Sequence, residues 1–202
     1  MGESTDAACA HTHTVDIQIP GQLAVVYVVR HAHAGTRLET TDDHLRPLSV
    51  AGQCQAQVLA AWLAPGAVGD ILSSPYVRCI ETLEPLAAGR GCPVLLTDAL
   101  AEGAEIEPLL RLVERVPSGS VLCTHGDILY RLIESLGPAE LDTGELGCLD
   151  KGVIWVLARD GDCLSVVDVI PPPYASTAAM DDDAESCFEF ASARRSSLER
   201  SR

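Results

Sequence analysis

Short apolar runs recur along the chain, and polar segments separate them. The first run, Leu23 to Val29, is continuous and rich in β-branched residues, as expected of a strand buried on both faces of a sheet. Five later runs have the same character and predict strands at 70–73, 93–97, 120–124, 153–157 and 164–170. The turn signal Asp160-Gly161-Asp162 predicts that the last two strands form a hairpin.

Helical spacing of apolar residues fills the segments between these strands. The first helix is predicted to begin at Ser49, a capping residue, and to end at Pro65. The second is predicted to begin with Ser74 as its cap and Pro75 at its first position. Two more helices are predicted at 108–115 and from 127 to 136. The alternation predicts an α/β three-layer sandwich, with a mostly parallel central sheet and helices on both faces.

Composition divides the chain into three parts. Residues 1–21 are polar without periodicity and predict a flexible leader. Residues 22–173 carry the predicted elements and form the expected globular domain. Residues 174–202 hold an acidic cluster followed by four arginines, which predicts a disordered, charge-segregated tail.

Charge and hydropathy limit the possible partners. The chain carries 29 acidic and 14 basic residues, for a formal net charge of −15, and this surface repels nucleic acid and anionic lipid. The run at 23–29 is too short to span a bilayer, and no basic segment precedes it as in a secretion signal. These features predict a cytoplasmic protein that binds neither nucleic acid nor membrane.

Cysteine usage points to free thiols. The eight cysteines form no CxxC pair and lie mostly in apolar runs, so we expect buried thiols and neither disulfides nor a metal cluster. Trp62 and Trp155 are likewise predicted to be core residues.

Three predicted strands lead into side chains that suit phosphate chemistry. Arg30 and His31 follow the first strand, and His125 follows the fourth. The second strand leads to Arg78 in the first turn of a helix, where a cation opposes the helix dipole. Since ligands of such sheets bind beyond the carboxyl ends of the strands, we expect these four side chains to share one crevice.

Two arginines and two histidines in one crevice favour a phosphoryl group as ligand. One guanidinium group can bind two phosphate oxygens at once, and it stays charged at any working pH. One imidazole can attack phosphorus and leave again, and a protonated second imidazole can stabilise the transferred oxygens. Glu102, just past the third strand, is the candidate acid for the leaving oxygen, with Glu105 as the alternative.

Four segments of the chain form a recognisable series, in the order Arg30-His31-Ala32, 46–56, 72–82 and Thr124-His125-Gly126. Together they resemble the histidine phosphatase superfamily in its phosphoglycerate-mutase-like branch. The likeness covers about residues 24–170. It is strongest to the short SixA-like phosphohistidine phosphatases and to the phosphatase domain that follows a Nudix domain in some mycobacterial proteins.

The resemblance implies roles for single residues. His31 is implied to be the nucleophile that becomes phosphorylated, and Glu102 the acid. The implied phosphate pocket consists of Arg30, Arg78 and His125. Ala32 replaces the family's commoner glycine, as in SixA-like members. The short segment around Glu102 lacks the longer acid-bearing insertion of the mutases, which implies an open site and argues against mutase activity.

Other interpretations remain open at the level of sequence. His31, His33, His125 and Asp127 can be read as ligands of a metal-dependent hydrolase, although an adjacent arginine would repel a dication. A phosphatase-like fold that binds a phosphorylated partner without turnover is a further alternative.

Local charge pairs are simpler explanations for single residues. Arg78 has Glu81 one turn away, a pairing worth only ~0.3 kcal/mol on an exposed helix. His33 is expected in a solvated or supporting position. Arg37 and Arg46 can either rim the pocket or be loop charges.

The favoured prediction is a phosphatase without metal or other cofactor, acting through a phosphohistidine on His31. Its substrate is predicted to be a phosphorylated small molecule or a phosphohistidine-containing protein. The pattern leaves the oligomeric state open.

Overall fold

The computed structural model describes residues 23–37, 42–67, 69–136, 149–161 and 163–172. The described residues contain one sheet, with strands β1 Ala24–Arg30, β2 Ile71–Ser73, β3 Leu95–Leu96, β4 Ser120–Thr124, β5 Ile154–Asp160 and β6 Cys163–Ile170. Its spatial order is β3-β2-β4-β1-β5-β6. The first four strands in this order run parallel, and β5 and β6 join them as an antiparallel hairpin. The predicted leader and tail lie outside the described residues.

Four α-helices occur in these ranges: α1 Val50–Leu63, α2 Val77–Arg90, α3 Ile106–Arg115 and α4 Gly126–Leu136. One core cluster joins α1 and α2 to one face of the sheet through Leu59, Leu83 and Val121. A second joins α3 and α4 to the other face through Leu109, Ile128 and Leu122. Helices therefore cover both faces, and the predicted three-layer α/β sandwich of the phosphoglycerate-mutase-like type is confirmed.

The start of α1 agrees with its sequence signal. Ser49 is the N-cap, and its hydroxyl accepts a hydrogen bond from Gly52 N at 3.1 Å. This bond satisfies one of the amide donors that the first turn of a helix leaves unpaired. The helix ends at Leu63, two residues before Pro65.

The predicted start of α2 is wrong. The helix begins at Val77, its N-cap is Tyr76, and no side chain caps it. The Ser74 hydroxyl instead contacts His125 Nε2 at 2.8 Å. Pro75 thus lies before the helix, in the segment that joins β2 to α2.

Strand β3 and helix α3 also differ in length from their predictions, as does β5, which extends to Asp160 instead of ending at residue 157. Strand β3 has only two residues, both exposed at the edge of the sheet, because it pairs with β2 alone. Helix α3 begins at Ile106, two residues earlier than expected, because Pro108 is tolerated within a first helical turn.

The prediction for the cysteines holds in part. Cys79 and Cys123 are buried free thiols, whereas Cys54 and Cys92 are half-buried and Cys163 is exposed on the edge strand β6. The remaining three cysteines lie outside the described residues.

Trp155 is completely buried, whereas Trp62 is partly buried, with its ring edge-on to Tyr27. Among the described helices, none combines the length and the hydropathy needed to cross a membrane.

Candidate active site

The sheet brings the two candidate histidines together. Strands β1 and β4 are parallel neighbours, and Arg30 pairs with Thr124 at the end of the register. His31 and His125 are therefore the next residues on adjacent strands. His31 N donates to Thr124 O at 3.0 Å, and the two imidazole centroids lie 5.5 Å apart.

His31 is held in one tautomer by its neighbour. Its Nδ1 lies 2.8 Å from the carbonyl oxygen of Ala32. Since a carbonyl only accepts, Nδ1 carries the proton and Nε2 keeps its lone pair. Burial, and to a smaller extent the nearby cations, together lower the pKa of His31 to about 3. The imidazole is therefore neutral and nucleophilic at neutral pH.

The backbone after His31 is fixed by helix α2. Ala32 N donates to Thr82 Oγ1 at 3.0 Å, and this hydroxyl donates to Arg78 O at 2.7 Å. One threonine thus ties the candidate nucleophile to the helix that carries the candidate phosphate-binding arginine.

Arg78 is the most buried charge of the site, with 1% of its surface exposed. Its Nη2 donates to Glu102 Oε2 at 2.8 Å and to His125 Nδ1 at 3.1 Å. Its Nη1 donates to the carbonyl oxygen of Asp43 at 2.8 Å and lies 3.1 Å from the carboxylate oxygen Oδ2. The Nε atom is buried without a partner.

The suggested pairing of Arg78 with Glu81 is wrong. Glu81 turns to the other side of α2, where its carboxylate accepts from Leu48 N at 2.6 Å. The carboxylate partners of Arg78 are Glu102 and Asp43. The pKa of Asp43 is lowered mainly by its hydrogen bond from Arg46 and further by the charge of Arg78.

His125 is neutral in this structure, and its hydrogen bonds show which ring nitrogen carries the proton. Arg78 donates to its Nδ1, so the proton sits on Nε2 and is donated to Ser74 Oγ. Burial, followed by the charge of Arg78, lowers the pKa of His125 to about 3. A dianion bound beside it would raise that pKa, because a nearby negative charge favours the imidazolium.

Arg30 lies across the start of helix α4. A Cβ on Gly126 would stand 2.9 Å from Arg30 Cζ, so the guanidinium packs where only a glycine leaves room. Its Nε is buried without a hydrogen-bond partner. Burial lowers the pKa of Arg30 below its ordinary value, and the charges of Asp150 and Asp127 act in the opposite direction.

Glu102, but not Glu105, lines the cleft. Glu102 is about two-thirds buried and binds Arg78, with Arg37 at 3.5 Å on its other oxygen. Glu105 is exposed at the N-cap of α3. Position therefore favours Glu102 as the candidate acid.

The cleft at these strand ends has a volume of about 640 Å³. Six of the fourteen basic residues line it, against three carboxylates. The cations are Arg30, Arg37, Arg46, Arg78, Arg131 and Lys151. Arg37 and Arg46 thus rim the cleft, and a chain with a net charge of −15 presents a cationic hollow suited to an anion.

The four residues of the metal alternative are not assembled as ligands. His33 lies outside the cleft lining, with Nδ1 2.7 Å from Ser49 Oγ, and Asp127 accepts from Gly103 N at 2.8 Å. No group of three or more histidine, cysteine or acidic side chains in the described ranges is arranged to hold a metal ion.

Three contributors to the site were missed by the sequence reasoning: Asp43, Ser74 and Lys151. Ser74 carried a signal, because it lies in the segment 72–82 on which the family likeness rests, but its hydroxyl was assigned to a helix cap. Asp43 and Lys151 lie in irregular segments whose path the hydropathy pattern does not predict.

Fold and site together define a class: an α/β sandwich with paired histidines and buried arginines at the carboxyl ends of parallel strands. Solved structures share this architecture. The SixA protein of Agrobacterium tumefaciens aligns with a TM-score of 0.62 and 25% identity, over 74% of this chain and 98% of that one. A protein histidine phosphatase SixA complexed with tungstate aligns with a TM-score of 0.61 and 20% identity, over 73% and 97%.

Sequence comparison agrees with this class. Residues 26–106 match the family model of the histidine phosphatase superfamily, branch 1. The 8-oxo-(d)GTP phosphatase of Mycolicibacterium smegmatis is 33% identical over 165 residues, which are 78% of this chain and 51% of the relative. The chain therefore spans about half the length of that relative. Residues 26–106 therefore carry the sequence signature of the histidine phosphatase superfamily, as the motifs indicated.

Proposed function

We propose that the chain is a metal-independent phosphatase that forms a covalent phosphohistidine on His31. The observation that carries this proposal is the state of that imidazole. Its Nδ1 proton is held by Ala32 O, and its pKa of about 3 leaves Nε2 unprotonated in a cleft lined by cations. An activated nucleophile beside preorganised positive charge is what phosphoryl transfer requires.

The reaction has two steps. In the first, His31 Nε2 attacks phosphorus, the bond to the leaving oxygen breaks, and Glu102 gives that oxygen a proton. In the second, Glu102 takes a proton from water, the water oxygen attacks phosphorus, and the N–P bond breaks. The products are inorganic phosphate and free His31.

In the proposed mechanism, the arginines and His125 supply the positive charge that binds the phosphoryl group. Arg30 and Arg78 each have a buried Nε without a partner, so each has a donor available for a phosphoryl oxygen. The incoming dianion favours protonation of His125, which then donates from both ring nitrogens. The protonated histidine expected from the sequence thus forms with the substrate.

The substrate class is a phosphomonoester or a protein phosphohistidine. The relative named as an 8-oxo-(d)GTP phosphatase and the fold shared with SixA support phosphoryl chemistry in general. Tungstate, bound in one of those structures, is a tetrahedral oxyanion of the kind that this cationic cleft suits.

The test is to trap the phosphoenzyme. Wild type, His31→Ala and His33→Ala are each mixed with a ³²P-labelled phosphohistidine donor or phosphomonoester and quenched. We expect label that is stable to base and labile to acid in wild type and in His33→Ala, but not in His31→Ala. His33→Ala is the matched control because His33 lies outside the cleft lining.

Turnover is followed in the same samples, with and without EDTA. The proposal is rejected if His31→Ala is still labelled or active, or if EDTA abolishes the activity. Binding of phosphate by the wild type without any label or turnover would favour the non-catalytic binding module.

A further inference from the structure

Lys151 is one of the cleft cations that the proposed mechanism does not use. Lys151 is the single lysine of the sequence, and it lines the cleft just before strand β5. Within the described residues its ammonium makes no ion pair and no hydrogen bond, although most basic side chains of the cleft do.

The surroundings of Lys151 are cationic. Arg30, Arg46 and Arg78 all act on it, and they add to partial burial in lowering the pKa of its amine. Asp43 and Glu102 serve three arginines between them, and Asp127 and Glu134 are the further carboxylates of the cleft lining. Since six cations line the cleft against three carboxylates, the arrangement favours a bound anion.

One phosphoryl group does not account for the cleft. Its volume of about 640 Å³ lies in the range of roughly 300 to 1,000 Å³ that is typical of pockets for whole small molecules. The buried donors of Arg30 and Arg78 suffice for the reacting group. Tyr130, which is half exposed, and Leu149 add apolar surface to the lining. Beyond the site of the reacting phosphoryl group, the cleft thus presents a further cation and an apolar surface to the rest of a substrate.

We propose that Lys151 binds a second phosphate of the substrate, so that the chain prefers organic diphosphates over simple phosphomonoesters. This inference rests on the proposed function and extends the substrate class of the same site to diphosphates, whose terminal phosphoryl group is held by a phosphoanhydride bond. His31 takes the terminal phosphoryl group, and the bond from phosphorus to the bridging oxygen breaks. The departing organic phosphate keeps that oxygen and its electron pair, and Lys151 neutralises the added charge.

The experiment compares ADP with p-nitrophenyl phosphate on the full chain. For Lys151→Met we expect the ratio of kcat/KM for ADP to kcat/KM for p-nitrophenyl phosphate to fall tenfold or more, mostly through KM. Lys151→Arg should restore most of the ratio. Arg111→Met is the matched control: it removes one positive charge at an exposed position of α3 outside the cleft lining, and should keep the ratio.

An unchanged ratio in Lys151→Met overturns the inference. So does a wild type that hydrolyses p-nitrophenyl phosphate but not ADP, or that prefers a phosphohistidine protein to ADP. In these cases the phosphatase proposal still stands, whereas failure of all substrates would reject it.

A binding measurement tests Lys151 without turnover. Reductive ¹³C-methylation labels the single lysine and the N-terminal amine, and the spectrum of Lys151→Met identifies the lysine signal. We expect pyrophosphate to shift that signal and to raise the pKa of the methylated amine. A lysine signal that stays unmoved at saturating pyrophosphate contradicts the inference.

Discussion

Glu102, the proposed proton-transfer residue, is the one whose role depends most on the substrate. Glu102 lies in the cleft and is bound by Arg78 at 2.8 Å and by the more exposed Arg37 at 3.5 Å. In the proposed mechanism, the more basic the leaving oxygen is, the more its departure depends on the proton that Glu102 supplies.

Replacement of Glu102 by Gln removes the acid and keeps the shape of the side chain. We expect kcat/KM for glycerol phosphate, which reports phosphorylation of His31 and not the later hydrolysis, to fall by a factor of about 10² to 10⁴, the usual contribution of acid catalysis. The loss with p-nitrophenyl phosphate should be much smaller, because nitrophenolate leaves without a proton. Steady-state kinetics on both substrates measures the difference, with Glu105→Gln as the control. Equal losses on the two substrates would remove Glu102 from the acid role.

At the scale of elements, the site depends on contacts between strand ends and helix starts. Gly126, the first residue of α4, leaves room for the Arg30 guanidinium at the end of β1. Gly52, in the first turn of α1, packs so closely on the loop after β1 that a Cβ would overlap His33 O. Because Gly52 and Gly126 have no side chains, the loop after β1 and the Arg30 guanidinium can pack closely against the starts of these two helices.

Gly126→Ala tests this packing. The added Cβ displaces the flexible end of Arg30, so we expect weaker competitive inhibition by inorganic phosphate and vanadate, with the fold retained. Gly89→Ala is the control, since a Cβ there meets nothing within 4 Å and should stabilise helix α2 by about 0.5 to 1 kcal/mol. Inhibition constants and urea unfolding measure both effects. Unaltered inhibition in Gly126→Ala would show that Arg30 is not needed for phosphate binding.

The sequence predicted those parts of the site that follow directly from strand order. Arg30, His31 and His125 end parallel strands, so the sheet itself places them at one edge. The start of α2 was mispredicted because the Ser74 hydroxyl has two possible partners, a free helix amide and an imidazole, and only the fold brings the imidazole within 2.8 Å. Asp43 was missed because its carboxylate reaches Arg78 from a short 3₁₀ turn, Asp43–Leu45.

At the scale of the whole molecule, two opposite charge distributions coexist. The chain carries a net charge of −15, while six of its fourteen cations line one cleft. Anionic ligands are therefore repelled by the surface at large and attracted at the cleft, an effect that weakens as salt increases.

Acid should destabilise the fold before its carboxylates titrate. His31 and His125 have pKa values of about 3 when folded, against about 6.5 for an unfolded histidine. Between these values the unfolded chain binds more protons, so the free energy of unfolding decreases as pH falls. The stabilisation is fully present above pH 6.5 and is lost towards pH 3, by up to about 1.4 kcal/mol per pH unit for each histidine.

Urea unfolding at pH 7.5 and 5.5 measures this loss of stability. His31→Asn should lose less stability between the two pH values than the wild type, because one buried imidazole has been removed. His33→Asn serves as the comparison at a less buried position. The same pH dependence in wild type and His31→Asn would contradict a neutral His31.

The pairing of β1 with β4 has a consequence for how such a protein diversifies. The distance between the two imidazoles is fixed by backbone hydrogen bonds in the middle of the sheet, including His31 N to Thr124 O. Several residues that line the cleft, among them Arg37 and Lys151, belong instead to the connections around that edge. The reacting atoms and the residues that recognise the rest of the substrate therefore lie on different parts of the fold. We expect that exchange of a connecting loop changes which phosphorylated compound is bound, while the two imidazoles keep their positions.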